Sequence, residues 1–139
     1  MLYSHYRSRD AIVAAVAIEG FRELAGELRR AAGTQASGRV AILSVASSYL
    51  TFASDQPALY EAMFKMPTSL RFAEAGTPAE LQEAFAALAA VVPGRDVDTA
   101  TETFWAALHG LAELERSGRI SRSMRDERVA FLVNGLLDH

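Results

Sequence analysis

The sequence has 139 residues, half of them hydrophobic, with a formal net charge of −3 and a pI near 5.6. This length suits one domain with a real core, and an Ala- and Leu-rich composition with few strand-favouring runs favours an all-α fold. The absence of cysteine excludes disulfides, thiol nucleophiles and thiolate metal sites, and the acidic balance argues against a general nucleic-acid-coating surface.

The chain opens on an aromatic and basic stretch, LYSHYRSR, followed by a long amphipathic helix. Apolar residues recur at helical spacing from about Ser8 to Ala32, and Ser8 is available as the N-cap. The apolar run at residues 11–18 is too short to span a bilayer, and no small-residue cleavage site follows the basic start. We therefore expect an unprocessed cytoplasmic protein with no membrane segment.

Two more helices follow a breaker cluster, GTQASG, at residues 33–38. The segment from Val40 to Ala53 is apolar almost all round, which predicts a central helix. In the next segment, Ser54 or Asp55 can cap a helix whose first turn contains Pro57.

Residues 65–76 have no clean period and predict a loop or a short irregular helix. The sequence Thr77-Pro78-Ala79-Glu80 then forms a capping box, with proline at the first helical position. The helix that it opens is expected to end at Val92, before Pro93-Gly94.

The last third of the chain predicts two helices, roughly Asp96 to Ser117 and Ser123 to Leu137, joined by a short turn at Gly118. Such a pair forms an antiparallel hairpin. Its apolar surface is broader than one small core needs, so we expect self-association. The chain as a whole is predicted to be a bundle of about six helices.

Two motifs resemble one known family, the TetR-family transcriptional regulators. The opening stretch resembles the end of their DNA-binding domain, with matching positions at Leu2, Tyr3, His5, Tyr6, Ser8, Arg9 and Ile12. Tyr6, where phenylalanine is commoner, is a conservative departure. Trp105, His109 and Gly110 resemble the Trp-His-Gly motif of the C-terminal ligand-binding domain in one branch of the family. The segment QPALYEAMF also resembles that branch.

The resemblance implies an organisation and a function. Residues 1–8 would be the remnant of a helix-turn-helix, the end of its recognition helix, and residues 9–139 the ligand-binding and dimerisation domain. The protein is expected to be a homodimeric repressor that binds a small apolar ligand, without a cofactor or metal. It would bind operator DNA through a helix-turn-helix that is mostly absent from this chain.

The resemblance also assigns roles to the opening residues. Tyr3, His5 and Arg9 would contact DNA phosphates, because their donors at the groove edge fix register without reading bases. In the alternative interpretation, Tyr3 and Tyr6 pack on the start of the long helix.

A ligand pocket in the helical core would draw on the larger side chains and one histidine. The candidates are Tyr49, Phe52, Tyr60, Met63, Phe64, Phe72, Phe85, Trp105 and His109. Aromatic residues at helical spacing are also ordinary core residues. His109 is therefore either a core or interface imidazole, or the polar group of an apolar ligand cavity. Gly110 would allow another helix to approach closely.

The dimer interface is expected on the last two helices. The candidates are Leu108, Leu111, Leu114, Val129, Leu132, Val133 and Leu136. Two such helices and their symmetry mates would form a four-helix interface. The alternative function is a stand-alone small-molecule-binding or scaffolding helical dimer that does not bind DNA.

The sequence does not favour an enzymatic function. It contains none of the strings H-E-x-x-H, G-x-S-x-G, Walker A or G-x-G-x-x-G, and its three histidines have no metal-ligand spacing. The acidic pairs Glu113/Glu115 and Asp126-Glu127 are predicted to be solvated or capping charges.

Overall fold

The computed structural model describes residues 2–33, 38–65 and 77–138, the first seven of them as backbone only. The described residues form six α-helices and one 3₁₀ turn with no strand, so the all-α prediction is confirmed. The helices are α1 (Leu2–Ala32), α2 (Arg39–Asp55), α3 (Pro57–Lys65), α4 (Ala79–Ala89), α5 (Val97–Arg116) and α6 (Arg125–Leu137).

Helix α1 starts earlier than predicted. It runs without interruption from Leu2, so the prediction that Ser8 caps it is wrong. The opening stretch has no Gly or Pro to stop the helix, and each added residue forms one more backbone hydrogen bond. Among residues 9–32, the first buried side chain is that of Ala17, and Ile12 and Val16 are exposed. The bundle therefore does not bury residues 9–16 of α1.

Helix α2 lies at the centre of the fold, as predicted. It packs against α1, α3, α5 and α6, and eight of its residues are buried. Only Gln56 separates α2 from α3, and Asp55 is the last residue of α2, so neither Ser54 nor Asp55 caps α3. Pro57 is the first residue of α3, where its missing N–H is tolerated.

Helix α4 packs along α1 and is shorter than predicted. Pro78 occupies the N-cap rather than the first helical position, and the helix ends at Ala89 rather than Val92. An ion pair of 3.2 Å joins Arg22 of α1 to Glu80 in the first turn of α4. The predicted loop at 65–76 lies outside the described residues, except for Lys65.

Helices α5 and α6 have well-defined starts. Asp96 caps α5 by accepting a hydrogen bond from the Thr99 amide at 3.1 Å, so α5 begins close to its predicted start at Asp96. Gly118 turns the chain with φ of +74°, a conformation that glycine adopts without strain. Ser121 caps the short 3₁₀ turn that leads into α6 at Arg125.

Helices α5 and α6 are joined by the short turn at Gly118 but do not pack closely together. Each helix packs against α2 more closely than against the other. The turn between them is set by local residues such as Gly118, but the distance between the helix axes of α5 and α6 depends on how each helix packs on α2. An open groove remains between α5 and α6.

Candidate ligand site and interface groove

One aromatic cluster gathers five of the predicted pocket residues. They are Tyr49 of α2, Tyr60 and Phe64 of α3, and Trp105 and His109 of α5. The ring centroids of Phe64 and His109 are 4.4 Å apart, and those of Tyr60 and Phe64 are 4.8 Å apart. Phe85 of α4 joins the edge of the cluster, with its centroid 6.5 Å from that of Trp105.

A chain of hydrogen bonds runs through this cluster. The Trp105 indole N–H donates to the Tyr49 hydroxyl at 2.8 Å, and the hydroxyls of Tyr49 and Tyr60 lie 2.6 Å apart. The Tyr60 hydroxyl is 2.6 Å from Nδ1 of His109. Since Tyr49, Tyr60 and Trp105 are buried, each of their polar atoms needs a partner, and the chain supplies it.

Burial sets the ionisation of these groups. It raises the pKa of both Tyr49 and Tyr60 well above the ordinary value of 10.0, so both hydroxyls stay protonated at neutral pH. Burial also lowers the pKa of His109 below its ordinary 6.5; Arg116 acts in the same direction and Glu113 opposes it. The imidazole is therefore neutral at pH 7.

Most of the predicted pocket residues are packed core rather than cavity wall. Phe52, Met63 and Phe85 are buried, as are both tyrosines and Trp105. Met63 fills the space beside Gly20, where a Cβ atom would lie 2.5 Å from Met63 Cγ. Phe72 lies outside the described residues. Of the predicted set, Phe64 and His109 are only partly buried.

Those two residues line a cleft of about 170 Å³ on the surface between α3 and α5. Its other walls are charged: Glu61, Lys65, Glu113 and Arg116. Lys65 pairs with Glu61, while Arg116 pairs with Glu113 at 2.7 Å and with Glu61 at 3.7 Å. The cleft thus combines an aromatic face, an imidazole and balanced charges.

Tyr60 lines a larger cavity, of about 260 Å³. Apolar atoms of Leu50, Pro57 and Ala112 contribute to its wall, and Arg116 and Arg122 stand at its edge. Among the described residues, no hydrogen bond or ion pair engages the Arg122 side chain. The cavity could hold a small apolar molecule with an anionic end.

The prediction that Glu115 is solvated is wrong. Its side chain is 7% exposed and accepts hydrogen bonds from Arg125 at 2.5 and 3.1 Å and from Arg128 at 3.3 Å. Burial raises the pKa of Glu115, but the hydrogen bonds and charges of the two arginines outweigh it and leave the pKa lowered. This cluster fastens the start of α6 to the end of α5.

The groove between α5 and α6 receives part of the predicted interface. Leu111, Leu114, Leu132 and Leu136 line it, in a volume of about 630 Å³ with almost wholly apolar walls. Leu108, Val129 and Val133 do not: they face inward and are buried in the core of the same chain. Both helices have broad apolar surfaces, so their sequence alone did not separate the inner face from the outer one.

Phe131 is the residue that sequence reasoning missed. It lies in the same groove with 83% of its surface exposed, more than any other large apolar side chain among the described residues. The available signal was its position among Val129, Leu132 and Val133, which makes α6 apolar on more than one side.

The predicted DNA-contact residues lie in the N-terminal part of α1. Arg9 is exposed, and the side chains of Tyr3 and His5 lie outside the description. No helix in the described ranges is long and apolar enough to cross a membrane. Within the same ranges, no three His, Asp or Glu side chains lie together as a metal ion would need.

Comparison with known proteins identifies the fold. The model of the family described as "Tetracyclin repressor-like, C-terminal domain" matches residues 42–136, more than half of the chain. The matched range extends from α2 into α6 and contains Trp105, His109 and Gly110. Neither the comparison with curated proteins nor that with solved structures gave a match. The chain therefore belongs to the TetR family of regulators, through its tetracyclin repressor-like C-terminal domain.

Proposed function

We propose that this chain is the homodimerising, ligand-sensing domain of a TetR-family transcriptional repressor. The observation that carries the proposal is the open apolar groove between α5 and α6. An exposed apolar surface of this kind marks an interaction site in a protein that is otherwise water-soluble. The occupant is a second copy of the same groove, because a two-fold interface uses one surface on both protomers.

Two glycines support a helix–helix contact at this groove. Apart from its chain neighbours and the backbone of its own helix turn, a Cβ atom built on Gly110 or Gly135 would have no described atom within 4 Å, and both residues line the groove. Glycine inside a helix costs about 1 kcal/mol relative to alanine. No close contact among the described residues of one protomer requires glycine at these two positions. In a dimer, the absence of a side chain lets the partner's helices approach closely.

Exposed side chains give the expected strength of the contact. Burying one phenylalanine contributes roughly 1.5–3 kcal/mol, and a symmetric dimer buries Phe131 twice. Leu114, which is 44% exposed, adds to this on each protomer. The core residues Leu108, Val129 and Val133 support the groove from below and do not contact the partner.

Ligand sensing would act on the position of α1. The cleft at His109 and the cavity beside Tyr60 both adjoin α3, which packs against α1. A ligand that binds one arrangement of α3 more tightly than another shifts the population of arrangements. The N-terminal part of α1, with Arg9 and the predicted contacts Tyr3 and His5, would transmit the shift to the DNA-reading heads.

The experiment is sedimentation equilibrium of the chain and two aspartate variants. We expect the unaltered protein to sediment at twice its mass of 15.0 kDa. Phe131→Asp should weaken the dimer by two to four powers of ten, which corresponds to the loss of about 3–6 kcal/mol.

The matched control is Val40→Asp. Val40 is also an exposed apolar residue, at 59%, but it lies in the first turn of α2, where an acidic side chain is favourable. This variant should remain dimeric. A monomeric parent protein, or equal weakening by both substitutions, would contradict the proposed interface.

A further inference from the structure

The hydrogen-bond chain from Trp105 to His109 has only one satisfactory direction. The indole N–H can donate but not accept, so the Tyr49 oxygen must be the acceptor at that end. If the Tyr49 proton does not go to Tyr60, it has no acceptor, because the hydroxyl is buried and no other described group bonds to it. A buried O–H without a partner is costly. Tyr49 therefore donates to Tyr60.

The same reasoning fixes the histidine. The Tyr60 oxygen accepts from Tyr49, so its own proton goes to Nδ1 of His109, 2.6 Å away. Nδ1 is then an acceptor and carries no proton. A neutral imidazole with a bare Nδ1 carries its proton on Nε2. The buried indole, three side chains away, thus determines that His109 presents an N–H donor.

We propose that the cleft at His109 binds a ligand oxygen that accepts a hydrogen bond from Nε2–H, as in a small carboxylate or ketone. The cleft volume of about 170 Å³ admits a small molecule or the end of a larger one, and the Phe64 ring offers an apolar face beside the imidazole. Lys65 and Arg116 retain spare donors beyond their ion pairs. This inference rests on the proposed sensing function and names the ligand class for that site.

The same chain of hydrogen bonds disfavours a ligand that can only donate a hydrogen bond to His109. A cationic or donor-only ligand would need Nε2 to accept, which places the proton on Nδ1. Nδ1–H would then donate to Tyr60 and Tyr60 to Tyr49, and the Tyr49 proton would have no acceptor, because the Trp105 N–H can only donate. Tyr49 and Trp105 thus influence which ligands bind by setting the tautomer of His109, although neither residue contacts the ligand.

Protonation of His109 would reverse the chain in the same way. The charged and titratable groups around the imidazole are Glu61, Lys65 and Tyr60 from α3, Glu113 and Arg116 from α5, and, through Tyr60, Tyr49 of α2. The two carboxylates and two cations are paired with each other. Neutral and protonated His109 therefore differ in the direction in which the hydrogen bonds from Trp105 to His109 run.

The test is two-bond ¹⁵N–¹H NMR of the full chain, which distinguishes a protonated ring nitrogen from a bare one. At pH 7.5 we expect the His109 spectrum of the Nε2–H tautomer. Tyr49→Phe frees Tyr60 to donate or accept, so the spectrum should move toward a mixture of tautomers. Ser54→Ala is the matched control, since Ser54 donates to the Thr51 carbonyl and takes no part in the chain. An Nδ1–H tautomer in the unaltered protein would overturn the inference.

The ligand class is tested with benzoate and benzylammonium, which share a ring and differ in the polar group. Benzoate should shift the His109 Nε2 resonance saturably in the unaltered protein, and benzylammonium should not. Equal shifts from both probes, or no shift from benzoate, would overturn the acceptor assignment. Sedimentation of the same samples separates the two claims: a monomer with the expected tautomer contradicts the proposed function alone, and a dimer with the opposite tautomer contradicts this inference alone.

Discussion

Two glycines in α1 provide a matched test of how this helix packs. A Cβ atom at Gly20 would lie 2.5 Å from Met63 Cγ, 2.7 Å from Met63 Sδ and 3.1 Å from Leu59 Cδ1. At Gly26 the nearest atom would be Arg30 Nη1 at 3.5 Å, an ordinary contact with a flexible side chain. The same substitution, glycine to alanine, therefore meets a packed helix at one site and only a flexible side chain at ordinary contact distance at the other.

The expected free energies follow from those distances. Alanine gains about 1 kcal/mol over glycine in a helix interior. Gly26→Ala should realise that gain, which for a chain of this size raises the midpoint of thermal unfolding by about 4 °C. Gly20→Ala must also displace the buried Met63, and overpacking of this kind costs roughly 1–3 kcal/mol. Its net effect is a loss of ~0–2 kcal/mol.

The assay is thermal and urea unfolding followed by circular dichroism, at one fixed protein concentration because a dimer's stability depends on concentration. In a Met63→Ala background the two closest contacts are absent and only that with Leu59 Cδ1 at 3.1 Å remains, so most of the cost of Gly20→Ala should disappear. If Gly20→Ala stabilises the unaltered protein as much as Gly26→Ala does, then α1 and α3 do not approach closely at this point. The proposed route from the ligand site to α1 would then lose its tightest contact.

Three further predictions concern polar groups. Glu115→Gln should destabilise by about 3 kcal/mol, because it leaves two part-buried guanidiniums without a counter-charge. The same change at Glu113, whose side chain is 37% exposed, should cost under about 1 kcal/mol; urea unfolding compares the two variants, and equal losses would contradict the role of the Glu115 cluster. Asp96→Ala should cost ~1 kcal/mol through the lost N-cap, with unchanged stability as the contrary result in the same assay. The pKa of His109 is lower in the folded state than in the unfolded state, so the unfolded state binds more protons as the pH falls through 6.5, and the free energy of unfolding should decrease. Unfolding of the unaltered protein is measured from pH 7.5 to 5.5, and a free energy of unfolding that does not decrease over this range would contradict the prediction.

Local signals in the sequence predicted local structure well. The start of α5 at Asp96, the start of α3 near Pro57 and the turn at Gly118 depend on residues within a few positions of one another, and all three are found where the sequence placed them. The central position of α2 followed from its apolar surface. The start at Ser8 failed because a good capping residue does not end a helix that can continue through it.

The features that the sequence did not predict depend on packing between distant residues. Glu115 lies in a polar stretch, and its burial arises from the arginines ten and thirteen residues later. Leu108 and Leu111 have the same residue type in one helix, yet one is core and the other lines a groove. The direction of the hydrogen-bond chain required the distances between three helices. For the same reason, the aromatic residues could be named as a cluster but not divided into core and cleft.

The most direct test of the central claim is an isotope-filtered NOE experiment on a mixture of ¹³C-labelled and unlabelled protein. The account predicts intermolecular NOEs between the Phe131 ring of one protomer and groove methyl groups of its partner, those of Leu111, Leu114 or Leu132. A filtered spectrum without such signals, or with intermolecular contacts confined to another face of the molecule, would contradict the proposal that α5 and α6 form the dimer.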